Sequence, residues 1–342
     1  MRKWEGYQQG INIGGWLSQC KHTIEHYDSF ITEEDFRTIK SWGLDHVRLP
    51  IDYNLVQDKE GNFIVENFKY IDNAIEWCKK NGLNIVLDMH KTCGYSFDKG
   101  EGEGRGFFKS EKLIKQFLAF WEEMAKRYGQ YDSFVCFELL NEIVDADDNE
   151  LFKDIAKRAF DIIRKYAPLT KIMYGSYWNN SVHAVKDCTM PFDENCVYDM
   201  HCYDPMVFTH QGAGWLEDMP KDFRLSYPLT AEDFRNEAAR TNMPEVYFAL
   251  NEDCLSAEYF ESIMAEAIKT AEDRNVILYC GEYGVIDKAD PEAAVRWYTD
   301  IHKVFKKYGI GSAAWSYKAM DFGFICGNVD SVRDKLLGVM KK

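Results

Sequence analysis

One pattern recurs eight times along the 342 residues and limits what the chain can become. A short apolar run ends in a polar tip, and an amphipathic stretch at helical spacing follows. The runs are GINIGG (10–15), DHVRLPI (45–51), NIVLDMH (84–90), SFVCFELLNE (133–142), KIMYGSY (171–177), CVYDMHCY (196–203), VILYCGEYG (276–284) and GIGSAAWSY (309–317). They are apolar on both faces, so each strand needs cover on both sides. In the stretch 32–43, Thr32 is an N-cap followed by first-turn acids, and Gly43 is the C′ residue. In 68–82, Ile71, Ala74, Ile75 and Cys78 fall at i, i+3, i+4 and i+7, before a Lys-Lys-Asn-Gly ending. The stretches 110–129, 149–167 and 290–309 repeat this style. The alternation predicts an α/β fold, a (β/α)8 TIM barrel of parallel strands wrapped in helices. A doubly wound open sheet is the alternative, but GINIGGW lacks the spacing of a GxGxxG loop and the helix behind it.

No low-complexity tract or linker divides the sequence, so residues 1–342 are expected to form a single domain. One connection is out of scale: roughly seventy residues separate Tyr203 from Val276. The segment 204–260 mixes Pro, Gly and aromatic residues, and reads as an inserted subdomain or long loop over the barrel mouth.

The net charge is −15 and no basic patch appears, which argues against nucleic acid as a partner. The acidic balance suits a neutral or cationic ligand. No apolar run approaches the ~20 residues of a membrane span. The N-terminal MRKWEGYQQGINIGGW has no apolar stretch of signal-peptide length, so the expectation is a cytoplasmic protein, or a secreted one whose signal has been trimmed. Ten Cys are scattered without a CxxC pair; Cys136, Cys196 and Cys280 fall within the apolar runs and read as small buried hydrophobes. No metal, cofactor or disulfide framework is expected, and a monomer is. Nine Trp and twenty Tyr exceed what one core needs, so some rings are expected to line a groove. Trp16, Trp178 and Trp215 are candidate platforms.

In such a barrel chemistry sits at the C-terminal ends of the strands. Those ends carry Arg48, His90, Asn141 with Glu142, His201 with Tyr203, Glu282 and Trp315. Alternate residues of a strand share a face, which groups Glu138 with Leu140 and Glu142, His201 with Tyr203, and Cys280 with Glu282. On this parity Glu142 points over the barrel axis. Glu138 lies deeper and needs a charge partner, for which Arg48 is the candidate. Asp88 reads as a buried strut, Asp145 and Asp147 as solvated loop acids. Two carboxylates in one cleft suit glycoside hydrolysis: one acid protonates the leaving oxygen, and the other, ionised, attacks the anomeric carbon or activates water. The like charge of its partner is expected to raise the acid's pKa, and an Arg to lower the nucleophile's.

GINIGGW, DHVRLP, LDMH, FELLNE, HCY, CGEYG and AAWSYK, in this order and spacing, resemble glycoside hydrolase family 5, the cellulase family of clan A. The resemblance runs from about residue 8 to about residue 325 and is strongest to bacterial endoglucanases with an insertion after the sixth strand. It implies a retaining β-glycanase with Glu142 as acid/base and Glu282 as nucleophile. It further implies that Asn141 binds the sugar 2-hydroxyl, that Tyr203 holds Glu282 and Arg48 keeps it ionised, and that His90 and His201 bind hydroxyls and orient the acid. Trp315 would be the stacking floor. Relatives often carry His or Asn where this chain has Lys91, which either bonds sugar hydroxyls or snorkels to solvent.

The expected activity is hydrolysis of β-1,4-glucan, with mixed-linkage β-glucan and glucomannan as further polysaccharide substrates. Within the same class a β-mannanase or an exo-β-glucosidase is the alternative. A carbohydrate-binding degenerate barrel would have lost one of the two Glu. A metal-dependent barrel hydrolase would carry His-x-His on its first strand, and INIGG has none.

Overall fold

All eight apolar runs form parallel strands: β1 Gly10–Asn12, β2 His46–Asp52, β3 Asn84–Lys91, β4 Val135–Glu138, β5 Lys171–Tyr174, β6 Cys196–Cys202, β7 Ile277–Tyr283 and β8 Gly311–Ala314. Each pairs with its neighbours in sequence, and β8 pairs with β1, so the sheet closes into a barrel and the open doubly wound alternative is excluded. The computed structural model describes residues 1–241, 243, 248 and 252–341.

Helices cover the outside, as strands buried on both faces require. Glu33–Ser41 begins after Thr32, whose backbone N–H and hydroxyl both donate to Asp35. Phe68–Asn81 buries Ile71, Ala74, Ile75 and Cys78 and stops at Gly82, whose φ of +63° favours glycine. Glu111–Tyr128, Ala146–Ile163, Ala257–Asp273 and Pro291–Tyr308 continue the ring, and Arg333–Lys341 packs at its end. The fifth connection departs from the pattern: between β5 and β6 the chain makes a turn and the 3₁₀ helix Val182–Asp187 instead of an α-helix.

Inside the barrel, side chains are sorted by height. Trp4 and Tyr7 stack at 4.0 Å and belong to a floor of Val86, Cys136, Met173, Val197, Ile277, Tyr279 and Ala313. Above lies a fully buried polar layer of Asn12, Arg48, Asp88, Glu138 and Asp199, from five different strands.

The long sixth connection holds the helices Met206–Thr209 and Ala231–Ala238. Its Phe208, Phe223, Leu225, Tyr227 and Phe234 are buried in the same contiguous core as the barrel's helix-facing residues. Residues 242, 244–247 and 249–251 of the 204–260 segment lie outside the described residues.

Candidate active site

Strand parity alone does not aim the functional side chains. β4 ends at Glu138, so the expected alternation from Glu138 through Leu140 to Glu142 fails: Leu140 packs in the helix-facing core, while Glu142 sits in a loop at φ +39°. That left-handed backbone is costly for a non-glycine residue and needs support. The Tyr95 hydroxyl supplies it, donating to the Glu142 carbonyl at 2.7 Å and accepting from Val144 N at 3.0 Å. Asn141 N also bonds Met89 O at 2.9 Å, and Asn179 N bonds Ile143 O at 3.0 Å.

Register slips do the rest. Met200 pairs with Cys280 but His201 pairs with Glu282, so β7 carries an extra residue at Gly281. Likewise Ile51 pairs with Met89 but Asp52 with Lys91, an extra residue at His90. Such bulges re-aim side chains. Cys280 therefore faces the helices while Glu282 faces the axis, which corrects the expectation that the two share a face. A side chain at Gly281 would meet Asp199 Oδ1 at 2.7 Å, so glycine is required there.

The polar layer converges on Arg48. Its guanidinium grips Glu138 through two bonds of 2.6 and 2.7 Å, and donates to Glu282 Oε1 at 2.7 Å, Asn141 Oδ1 at 2.8 Å and Asn12 Oδ1 at 3.0 Å. Asp88 Oδ2 is 2.9 Å from the same group. A buried charge network is costly to break, about 3–5 kcal/mol when one partner is lost, so its members hold one another in place. Glu138 is thus the strut expected of it. Burial, reinforced by Asp88 and Asp199, pushes its carboxyl up to about 8 although Arg48 opposes the shift.

Over this layer stand the two carboxylates of interest. Glu282 is held at both oxygens, by Arg48 and by the Tyr203 hydroxyl, which donates to Oε2 at 2.9 Å. Glu142 Oε1 is 2.7 Å from His201 Nδ1, and its Oε2 accepts from Asn179 Nδ2 at 2.9 Å. One oxygen of Glu142, one of Glu282 and a ring nitrogen of His201 lie within 4.8 Å of one another. All three residues are buried.

The electrostatics differ from the expectation of an acid raised by its carboxylate neighbour. Burial does raise the Glu142 carboxyl, but the bond and charge of His201, the Asn179 bond and the charge of His90 outweigh it, and the net direction is down. Burial works against the His201 cation, yet the charge of Glu282, that of Asp199 at 3.1 Å and the bond to Glu142 lift it well above the usual range. Both shifts favour the charged forms, a carboxylate at Glu142 facing an imidazolium at His201. His90 follows the same logic: burial opposes its charge, and Asp88, 2.7 Å from Nδ1, raises it.

The floor is aromatic. Trp315 stacks on His90 at 5.7 Å with an interplanar angle of 5°. A side chain at Gly14, just after β1, would meet the Trp315 ring at 2.9 Å, so a glycine there leaves room for the indole. Asn141 Nδ2 and His90 Nε2 are buried donors without a partner among the described residues. A polar ligand within reach of them would satisfy both.

The structure brings together Arg48, His90, Asn141, Glu142, His201, Tyr203, Glu282 and Trp315. Trp178 and Trp215 are 60% and 52% exposed. Trp178 precedes Asn179 on the Glu142 side, and Trp215 lies 6.3 Å from His210, whose ring packs on Tyr203. Trp16 is a correction: it is fully buried, stacks on Trp77 and donates its indole N–H to Tyr27 O at 2.9 Å, so it is a core residue. Lys91 does not snorkel; it is buried, with Nζ 3.3 Å from Asp52 Oδ2. Sequence reasoning missed Asn12, Tyr95, Asn179, Asn180 and Asp199. For Asp199 a signal existed: Asp-Met-His occurs twice, at 88–90 and 199–201, each time at the end of a strand.

A closed parallel barrel that presents two facing carboxylates above an aromatic floor is the architecture of a glycoside hydrolase. The family model described as "Cellulase (glycosyl hydrolase family 5)" matches residues 6–321, and the chain belongs to that family. It is 40% identical to Cellodextrinase A of Ruminococcus flavefaciens, over 100% of this chain and 95% of that protein. It is 35% identical to Endoglucanase C of Acetivibrio thermocellus, over 98% of each. Among solved structures, the endoglucanase Cel5A of Thermotoga maritima superposes with a TM-score of 0.75 at 23% identity, covering 98% of this chain and 97% of that one, a likeness of fold.

Proposed function

We propose that the protein is a retaining endo-β-1,4-glucanase, acting on β-1,4-glucan and its soluble oligosaccharides, with mixed-linkage β-glucan and glucomannan as further substrates. The observation that carries this reading is the separation of Glu142 and Glu282, whose nearest oxygens lie within 4.8 Å. Retaining enzymes place their carboxyl groups about 5–5.5 Å apart, whereas inverting ones leave about 6.5–9.5 Å for a water. The names of the two relatives support β-1,4-glucan and cello-oligosaccharides as the substrate class.

Glu282 attacks the anomeric carbon while the glycosidic bond breaks and Glu142 gives its proton to the leaving oxygen. Water, deprotonated by Glu142, then attacks the same carbon and releases Glu282. Arg48 and Tyr203 aim the nucleophile. Asn141 Nδ2 bonds the 2-hydroxyl, His90 Nε2 a neighbouring hydroxyl, and Trp315 stacks beneath the ring. Trp178, next to the Asn179 that touches Glu142, is a platform for the leaving-group side, and Trp215 a platform at the opposite rim. The 204–260 segment acts as an insertion that shapes the cleft.

The test is a chromatographic product profile on carboxymethylcellulose, barley glucan, glucomannan, mannan and cellohexaose. Endo action on β-1,4-glucan gives mixed cello-oligosaccharides early from the glucans and internal cuts in cellohexaose. Release of glucose alone from chain ends, or hydrolysis of mannan in preference to glucans, would overturn this assignment.

A further inference from the structure

The second Asp-Met-His, on β6, contains a fully buried carboxylate that the mechanism above does not use. Asp199 Oδ1 accepts from Gly281 N at 2.9 Å and Oδ2 from Asn180 Nδ2 at 2.9 Å. The same Oδ2 lies 3.1 Å from His201 Nε2, within ion-pair reach although off the N–H direction. His201 Nδ1 faces Glu142 Oε1 on its other side. The imidazole therefore stands between two carboxylates. The loop after β5 braces both ends: Asn179 bonds Glu142, and the adjacent Asn180 bonds Asp199.

We propose that Asp199 is a positioning residue for proton transfer, holding His201 as the imidazolium that supplies Glu142. The proposal rests on the reading of Glu142 as acid/base. In glycosylation the proton on His201 Nδ1 moves to Glu142 Oε1. The imidazole is left neutral, with its remaining hydrogen on Nε2 beside the Asp199 charge, and Glu142 passes its proton to the leaving oxygen. In deglycosylation Glu142 takes a proton from water and returns it to Nδ1. The balance is one proton out and one proton back.

The surroundings of His201 fix the direction of the effect. Glu142 faces it at 2.7 Å from the β4 loop, Glu282 at 3.8 Å from β7 and Asp199 at 3.1 Å from its own strand. Glu138, from β4, joins Asp199 and His201 in a cluster with ligand atoms within 4.8 Å, and is itself gripped by Arg48. Tyr203 is turned to Glu282. The neighbours of the ring are carboxylates, so the imidazolium is stabilised and Asp199 is one of its principal supports. An amide in place of Asp199 turns an N–H toward Nε2. His201 is then held as a neutral ring with its proton on Nδ1, and the pair loses its spare proton at lower pH.

The experiment compares pH profiles of kcat/KM for wild type and Asp199→Asn on cellotetraose, a poor leaving group, and on 2,4-dinitrophenyl β-cellobioside, which needs no acid. On cellotetraose the basic limb of D199N is expected to move down by about one unit, a loss of about tenfold at pH 8 with a rate at pH 5 close to wild type. The dinitrophenyl profile keeps its basic limb. A uniform loss at every pH, or an unmoved limb, overturns the proposal. Identical basic limbs for both substrates in the wild type would instead remove the acid/base role of Glu142, and this proposal with it. The ring-¹⁵N spectrum of the wild type, with His201 assigned through H201Q, gives a check that does not depend on D199N folding. An imidazolium at pH 7 is expected, and a neutral ring protonated at Nδ1 contradicts the proposal.

Discussion

Glu282→Ala is expected to lower kcat on 2,4-dinitrophenyl β-cellobioside by roughly 10⁴–10⁶-fold, the scale seen when a covalent nucleophile is removed. The substitution deletes the group that bonds to the anomeric carbon, while Arg48 keeps its bonds to Glu138, Asn141 and Asn12. The loss therefore reports chemistry more than collapse of the barrel, and a wild-type circular dichroism spectrum at the assay temperature would establish that. The cavity left by the carboxylate admits a small anion. Azide should restore part of the rate and yield the α-glycosyl azide, because a single displacement replaces two. Activity untouched by the substitution would remove Glu282 from the mechanism.

Glu142→Ala should split substrates by leaving group. On cello-oligosaccharides, whose departing sugar oxygen must be protonated, kcat/KM falls by about 10²–10⁴-fold, the usual worth of general acid catalysis. On the dinitrophenyl glycoside, bond cleavage needs no proton and its rate constant changes little. Without a base the glycosyl-enzyme hydrolyses slowly, so an initial burst of dinitrophenolate precedes a slow steady state, and azide removes the slow phase by giving the β-azide. Equal losses of kcat/KM on both substrates would contradict the acid/base role. Since Tyr95 holds the backbone of Glu142 and Asn179 its side chain, Asn179→Ala makes a useful reference: it removes a bond to the carboxylate without removing the acid.

The barrel was legible in the sequence because it follows from a repeating local rule. Apolar runs with polar tips, each followed by an amphipathic stretch, have few ways to bury themselves, and every run lies on a strand. Five of the expected helical stretches match within a few residues. The polar tips also named the main site residues, because packing does not demand His, Glu, Asn and Tyr at the same end of apolar strands. What failed were inferences that extended a regular period into irregular backbone. Glu142 lies four residues beyond the end of β4, and Glu282 follows a bulge at Gly281, so alternation misassigned Leu140 and Cys280. Trp16 could not be told from a platform, since its burial depends on Trp77 and Tyr27, which arrive from other elements. Asn179 was hidden for a related reason: it sits in a left-handed turn whose contact with Glu142 joins loops of two different strands. The downward shift of Glu142 was missed because the bond and charge of His201, which comes from another strand, outweigh burial.

The whole account depends on Glu142 and Glu282 acting from opposite sides of the scissile bond in two successive displacements. Proton NMR during the first minutes of cellotetraose hydrolysis reads that directly, before mutarotation scrambles the new reducing ends. The β-anomer should appear first, with the α-anomer growing only later; α-anomer as the first product would mean single displacement by water and would contradict the assignment of Glu282 as nucleophile.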